Sequence, residues 1–320
     1  MARQTQSYLR SLFDARGLAP RRRYGQNFLI DLNLHEVIVK AAEVTAGDLV
    51  LEVGTGAGAL TSLTASLGAH VVAVEVDEGM ARLTRETLGA ASEAKVLCCD
   101  VLAGKNKLNP LVVEALRGLL AEHPGRRLKL VANLPYNIAT PLVANLLASD
   151  ELRPERIVVT IQLELAERMK ASPGDSAYGA LSVMVQALAD VEIERVLPPS
   201  VFWPRPQVDS AIVVIATRDE KRALIDDLAW FQSVTRRIFT QRRKNLRGVL
   251  HGLADGRLDK PAVDALLARL AIDGTSRAER LDVAQFRALA TALQPILADF
   301  SQDPHAIDDD SEATHTLDDD

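Results

Sequence analysis

Cysteine is nearly absent from the sequence. The two cysteines present, Cys98 and Cys99, are adjacent, a spacing that strains a disulfide between them. A disulfide framework is therefore excluded, and a reducing cytoplasm is the expected location. No apolar run approaches the ~18–20 residues that span a bilayer, so no membrane association is expected. The segment Met1–Arg23 is basic and polar and has no apolar stretch, so it does not read as a secretory signal. The six histidines are scattered, with no H-E-x-x-H pattern and no cysteine cluster beside them. No metal is expected.

The chain has 320 residues, of which 48% are hydrophobic. That length and composition suit one large domain and a smaller one, each with a packed core. The net charge of −6 conceals an uneven distribution. Nine acids and no Lys or Arg follow residue 298; without them, 37 basic residues face 34 acidic ones. The segment 299–320 also has few large apolar residues and is expected to be a disordered acidic tail. The body is mildly basic, with clusters at Arg21-Arg22-Arg23, Arg236-Arg237 and Arg242-Arg243-Lys244. Clusters of this kind suit a phosphate backbone, although a solvated face has the same composition.

From Asp48 to Gln162, short β-branched runs alternate with helical patterns. Strands are expected at Asp48–Val53, His70–Glu75, Lys95–Cys99, Leu128–Ala132 and Arg156–Ile161. Such alternation implies a parallel sheet covered on both faces. After a helix at Tyr178–Ala189, two more strands, Val191–Leu197 and Ser210–Thr217, are joined by a proline-rich segment, and their direct return makes them antiparallel. The expected fold is α/β: a class I methyltransferase (Rossmann-like) seven-stranded sheet, mostly parallel with an antiparallel last strand, plus a small all-helical C-terminal domain. Its helices are expected at Leu228–Phe239, Arg242–His251, Pro261–Leu270 and Val283–Leu297. The expected domains are 1–218, with a basic N-terminal arm, and 219–298, followed by the tail.

Glu52-Val53-Gly54-Thr55-Gly56-Ala57-Gly58 follows the first of these strands and opens a helix. Glycine permits positive φ and a close approach of backbone to ligand, and the helix N-terminus adds free amide donors. Glu75 ends the second strand, where a carboxylate can accept bonds from ribose hydroxyls. Asp100 follows the third and can accept a bond from an adenine amine. Gly54, Gly56 and Ala59 also satisfy the relaxed dinucleotide fingerprint. On these residues alone, a nicotinamide enzyme and a methyltransferase fit equally. A P-loop is excluded, because no Gly-Lys-Ser/Thr follows.

Asn133-Leu134-Pro135-Tyr136 ends the fourth strand. An exocyclic base amine is a poor nucleophile because its lone pair is delocalised into the ring. The Asn133 carboxamide oxygen and the Leu134 carbonyl, placed on its two N–H groups, favour a tetrahedral nitrogen. Pro135 fixes φ and restricts the residue before it. Tyr136 offers a face on which a base can stack, worth roughly 1–3 kcal/mol. This is positioning and preorganised electrostatics.

With these residues in place, the chain resembles the rRNA adenine N6-dimethyltransferases, the KsgA family. Gly25-Gln26-Asn27-Phe28-Leu29, Glu52–Gly58, Glu75, Asp100 and Asn133–Tyr136 fall in family order, and so do Tyr178–Val183, Phe202–Ser210, Gln241–Arg247 and Arg277-Ala278-Glu279. The resemblance implies S-adenosylmethionine as methyl donor. It implies cofactor contacts at Asn27, Leu29, Gly54, Glu75, Asp100 and Asn133, and a catalytic set of Asn133, Leu134, Tyr136 and Phe202, with Phe202 stacking on the adenine opposite Tyr136. It implies dimethylation at N6 of two adjacent adenosines in the 3′-terminal hairpin loop of 16S rRNA, linked to small-subunit biogenesis. The partner is then the small ribosomal subunit, and the protein is expected to be a monomer. Arg22, Arg23, Arg242, Arg243, Lys244 and Arg247 are candidate RNA contacts, which are salt-dependent. Gln207 replaces a usual lysine and Asn245 a usual threonine. Two further readings stand beside this one: a large-subunit rRNA adenine methyltransferase, and a non-catalytic RNA-binding assembly factor.

Overall fold

The computed structural model describes residues 5–89, 93–105 and 107–297. The side chain of Arg22 and the acidic segment 299–320 lie outside the described residues. The chain forms two compact units. Among the described residues, the first comprises those up to Ala171 and Val185–Ala223, the second Ser172–Met184 and those from Leu224 onward. The chain therefore passes between the two units three times. Tyr178 explains the early excursion: it is fully buried, and its hydroxyl donates to the Leu281 carbonyl at 2.9 Å, within the second unit.

In chain order the first unit begins with α1 (Gln6–Asp14), β1 (Phe28–Leu29), α2 (Leu32–Ala41), β2 (Asp48–Val53), α3 (Ala59–Ser66), β3 (His70–Glu75) and α4 (Glu78–Leu88). It continues through β4 (Ala94–Cys98), β5 (Leu102–Gly104), β6 (Lys107–Leu108), α5 (Pro110–Glu122), β7 (Arg127–Asn133), α6 (Tyr136–Ala148), β8 (Arg156–Gln162) and α7 (Leu163–Lys170). After α8 (Ala180–Gln186) come β9 (Ala189–Leu197), β10 (Phe202–Trp203), β11 (Ser210–Thr217) and the short α9 (Asp219–Arg222).

Seven strands form one sheet in the order β4-β3-β2-β7-β8-β11-β9. Pairs among β4, β3, β2, β7 and β8 are parallel, while β11 runs antiparallel to both β8 and β9. This is the expected sheet, with the last strand reversed. Every residue of β2 is buried, as a strand covered on both faces requires. The strand order reverses direction between β2 and β7. In open α/β sheets, ligands bind at this crevice, beyond the carboxyl ends of the strands. The glycine turn leaves β2 at this point and the Asn133–Tyr136 run leaves β7. At the opposite end of the same strands, the buried Lys129 ammonium pairs with Asp48 at 3.0 Å and donates to the Glu43 carbonyl at 2.6 Å.

From Thr5 onward the N-terminal arm packs through a helix and a short strand. Thr5 caps α1 by accepting from the Tyr8 amide, and Leu9 and Phe13 are buried. Phe13 meets Phe28 edge-on at 5.1 Å. The arm then pairs as β1 with β10, antiparallel, with Phe28 opposite Trp203 and Leu29 opposite Phe202.

The second unit is helical: α10 (Leu228–Phe239), α11 (Leu246–Leu253), α12 (Lys260–Arg269) and α13 (Val283–Leu297). The Trp230 indole donates to the Ala290 carbonyl at 2.7 Å, and Phe239 stacks on Phe286 at 5.2 Å. The expected helix from Arg242 starts later. Asn245 is its N-cap, accepting from the Gly248 amide at 2.9 Å, so Arg242-Arg243-Lys244 lie in the turn before it. Asn and Thr both cap helices, which accounts for the tolerance of Asn at this position.

Candidate active site

The end of β2 opens a cavity of about 300 Å³. All six residues expected to contact a cofactor line it: Asn27, Leu29, Gly54, Glu75, Asp100 and Asn133. The glycines are required by conformation and by space. Gly54 has φ +78°, and a Cβ there would stand 3.1 Å from the Pro135 ring. Gly56 has φ +55°, and its Cβ would stand 2.9 Å from the Phe28 ring. Three separate segments thus converge: the arm, the glycine turn and the Asn133–Tyr136 run. The helix that follows, α3, has Gly58 as N-cap with no side-chain cap bond. Its first amides suit an acceptor group.

Glu75 is buried and accepts from the Asp77 amide at 2.9 Å and the Gly56 amide at 3.3 Å. It ties β3 to the glycine turn, and burial pushes its carboxyl above the usual range. Asp100 is exposed at the rim and accepts from the Leu102 amide at 2.9 Å. Sequence reasoning quoted Glu52 only as part of the turn. In the structure it is 2% exposed, lines the cavity, and its Oε2 has no hydrogen-bond partner among the described residues. Burial, with the charge of Glu75 adding to it, pushes the carboxyl up to about 8. The signal available in the sequence was an acid inside an otherwise apolar strand.

Asn133 ends β7, and its Nδ2 donates to the Asn27 carbonyl at 2.8 Å. A carbonyl oxygen only accepts, so the bond assigns the amide. The nitrogen is turned to the arm and Oδ1 is the end left to accept. The Leu134 amide donates to the Thr160 carbonyl at 3.2 Å, fixing the backbone that presents the Leu134 carbonyl. Pro135, with φ −57° and ψ 132°, turns the chain into α6. Tyr136 is half-buried, and its hydroxyl lies 2.6 Å from the Ser210 hydroxyl. Burial raises its phenol above the ordinary value.

Phe202 is not brought to this group. It is 1% exposed and packs with Leu29, Ile38, Leu197 and Ile212. Successive residues of β10 point to opposite faces. Phe202 takes the core side, and Trp203, with the Arg10 guanidinium 5.6 Å from its ring, takes the other. In this ligand-free structure Phe202 is packed in the core, and its expected stacking on the adenine stays a proposal.

The candidate RNA contacts divide by their partners. In the first unit, Arg23 lines the cavity and its guanidinium lies 4.6 Å from the Tyr24 ring centre. The Arg22 side chain lies outside the described residues. In the second unit, Arg242 donates to the carbonyls of Tyr178 and Ser176 at 3.0 and 3.4 Å, and Arg247 holds Asp264 in a two-point pair. Arg242, Arg243 and Lys244 are all exposed.

A family model described as ribosomal RNA adenine dimethylase matches residues 17–294. The chain belongs to the ribosomal RNA adenine dimethylase family. Among the similar family members, the ribosomal RNA small subunit methyltransferase A of Ligilactobacillus salivarius is 40% identical, over 89% of this chain and 93% of its own length. The protein of the same name from Moorella thermoacetica is 37% identical, over 89% and 96%. The family fold is seen in solved structures. A dimethyladenosine transferase from Plasmodium falciparum has a TM-score of 0.66 at 23% identity, covering 82% of this chain and 96% of that one. The 23S rRNA methyltransferase ErmE has a TM-score of 0.63 at 26% identity, covering 84% and 100%.

Proposed function

We propose that this family member transfers methyl groups from S-adenosylmethionine to N6 of two adjacent adenosines in the 3′-terminal hairpin loop of 16S rRNA, leaving each dimethylated. One observation carries the reading: Asn133, with its amide oriented by the Asn27 carbonyl, and the Leu134 carbonyl end β7 at the mouth of the glycine-turn cavity. That cavity suits a donor with a ribose and a cationic methionine end. Glu75 and Asp100 supply carboxylates at the strand ends, the glycine turn admits close backbone contact, and Glu52 holds a buried oxygen with no partner among the described residues. When bound, the donor supplies an electrophilic methyl on a positively charged sulfur.

The protein's own contribution is orientation. Loop adenosines are unstacked at less cost than duplex ones and can be placed in a pocket. The Asn133 Oδ1 and the Leu134 carbonyl accept from the adenine amine and localise the nitrogen lone pair toward the methyl. Tyr136 supplies a stacking face, and no strong base is required, because methylation itself makes the nitrogen acidic. The relatives named for the small subunit favour that substrate over the large-subunit one.

The test is methyl transfer to unmethylated small ribosomal subunits, followed by mass analysis of the rRNA. Two adjacent dimethyladenosines are expected. Transfer to large-subunit RNA instead would move the assignment to the ErmE-like branch. Asn133→Ala should lower turnover at least 100-fold, the scale of losing one preorganised group, with RNA affinity nearly unchanged. Wild-type turnover in that variant would remove Asn133 from the chemistry.

A further inference from the structure

Ser210 begins β11 and is wholly buried. Its backbone is paired on both sides, opposite Gln162 of β8 and Leu197 of β9. The neighbouring Asp209 carbonyl accepts from the Leu163 amide at 2.9 Å. A serine side chain has one torsion to a heavy atom, so on a backbone paired on both sides its oxygen has only three staggered positions. That oxygen lies 2.6 Å from the Tyr136 hydroxyl. Tyr136 stands on a different element, at the first position of α6, where Pro135 sets the backbone. Its ring is then held at both ends, by the helix at Cα and by the sheet at the phenol. Only part of the residue is buried, so some of its surface stays available.

We propose that Ser210 is a positioning residue: by bonding the Tyr136 phenol it sets the plane on which the target adenine stacks. The proposal rests on the adenine-methylating reading of the site. A ring free to rotate still offers apolar area, but it does not hold the base at the angle that Asn133 and Leu134 require. The loss therefore falls on the chemical step rather than on binding.

Ser210→Ala and Tyr136→Phe break the same bond from opposite ends and leave the ring in place. Each is expected to lower kcat on unmethylated small subunits about fivefold, the scale of one net hydrogen bond. The double variant should fall no further, since both changes remove one interaction. KM for RNA and affinity for the cofactor should hold. A hairpin-loop RNA with 2-aminopurine at the target position should be quenched less by either variant than by the wild type. Wild-type kcat in Ser210→Ala, or losses that add in the double variant, overturn the proposal. If Ser210→Ala does not fold, Tyr136→Phe decides: a kcat loss with weaker quenching supports the proposal, and wild-type values overturn it. Tyr136→Ala separates the levels. Slow turnover in Tyr136→Ala with normal Ser210→Ala and Tyr136→Phe removes Ser210 alone, whereas wild-type turnover in Tyr136→Ala removes the stacking role as well.

Discussion

Glu52 is a carboxyl that the fold keeps away from water without giving its Oε2 a hydrogen-bond partner among the described residues. Such a group stays neutral rather than carry an unpaired charge in a low-dielectric site. Its pKa is raised from the usual value to about 8, first by burial. A raised carboxyl favours folding while it is protonated. That contribution is complete below about pH 4.5 and is lost as pH climbs through about 8. Glu52→Gln keeps the shape and cannot ionise. The ligand-free variant should therefore match the wild type in Tm near pH 5 and exceed it near pH 8.5. Cofactor affinity should move the other way, since a cationic ligand draws on the ionised carboxylate. Thermal melts across this range, with and without the cofactor, check both. A Tm difference independent of pH would show that Glu52 does not titrate in this way.

At the scale of elements, the parallel part of the sheet was plain in the sequence because buried strands read as continuous β-branched runs bounded by turns. Leu49–Val53 and Ile157–Ile161 are of this kind, and the structure places them centrally. Of the six cavity-lining positions expected to hold the cofactor, Gly54, Glu75, Asp100 and Asn133 were legible for a related reason, as strand ends or a glycine turn, whereas Asn27 and Leu29 came only from the family resemblance. Contacts between distant segments were not legible. Nothing local places Ser210 against Tyr136, turns the Phe202 ring inward, or spends Arg242 on two carbonyls. The Gln241–Arg247 turn shows the consequence. Four of its residues are basic, and Arg242, Arg243 and Lys244 are all exposed, yet Arg242 holds the Ser176 and Tyr178 carbonyls and Arg247 holds Asp264. Arg242→Ala should lower Tm by about 2–4 °C with RNA affinity kept well below the transition. Arg243→Ala with Lys244→Ala should leave Tm alone and weaken RNA binding. The log–log salt slope should shrink by about 0.7–0.9 for each phosphate no longer neutralised. Melts and salt titrations of both variants check the division. The opposite pattern would mean that Arg242 is the RNA contact and its carbonyl bonds are incidental.

For the whole molecule, charge is the property that the net value hides. The chain as a whole carries −6, although the body without residues 299–320 has 37 Lys and Arg against 34 Asp and Glu. RNA is a polyanion, and its nonspecific attraction to a protein follows the local field, which decays over about 8 Å at physiological salt. If nine acids joined covalently to a basic body compete with RNA for the same cations, they do so at a fixed effective concentration. Deleting 299–320 should therefore strengthen binding to unrelated RNA several-fold at low salt and steepen its salt dependence. Binding to the small subunit should gain less, because the specific complex already displaces the competitor with a larger set of contacts. The advantage should disappear at high salt, and Tm should hold if the segment adds nothing to either core. The measurement is a pair of salt titrations, one with unrelated RNA and one with unmethylated small subunits, on the full and shortened chains. Equal curves for the two chains would make the acidic segment a passive extension. Equal gains for both RNAs would mean that it lowers affinity without sharpening selection.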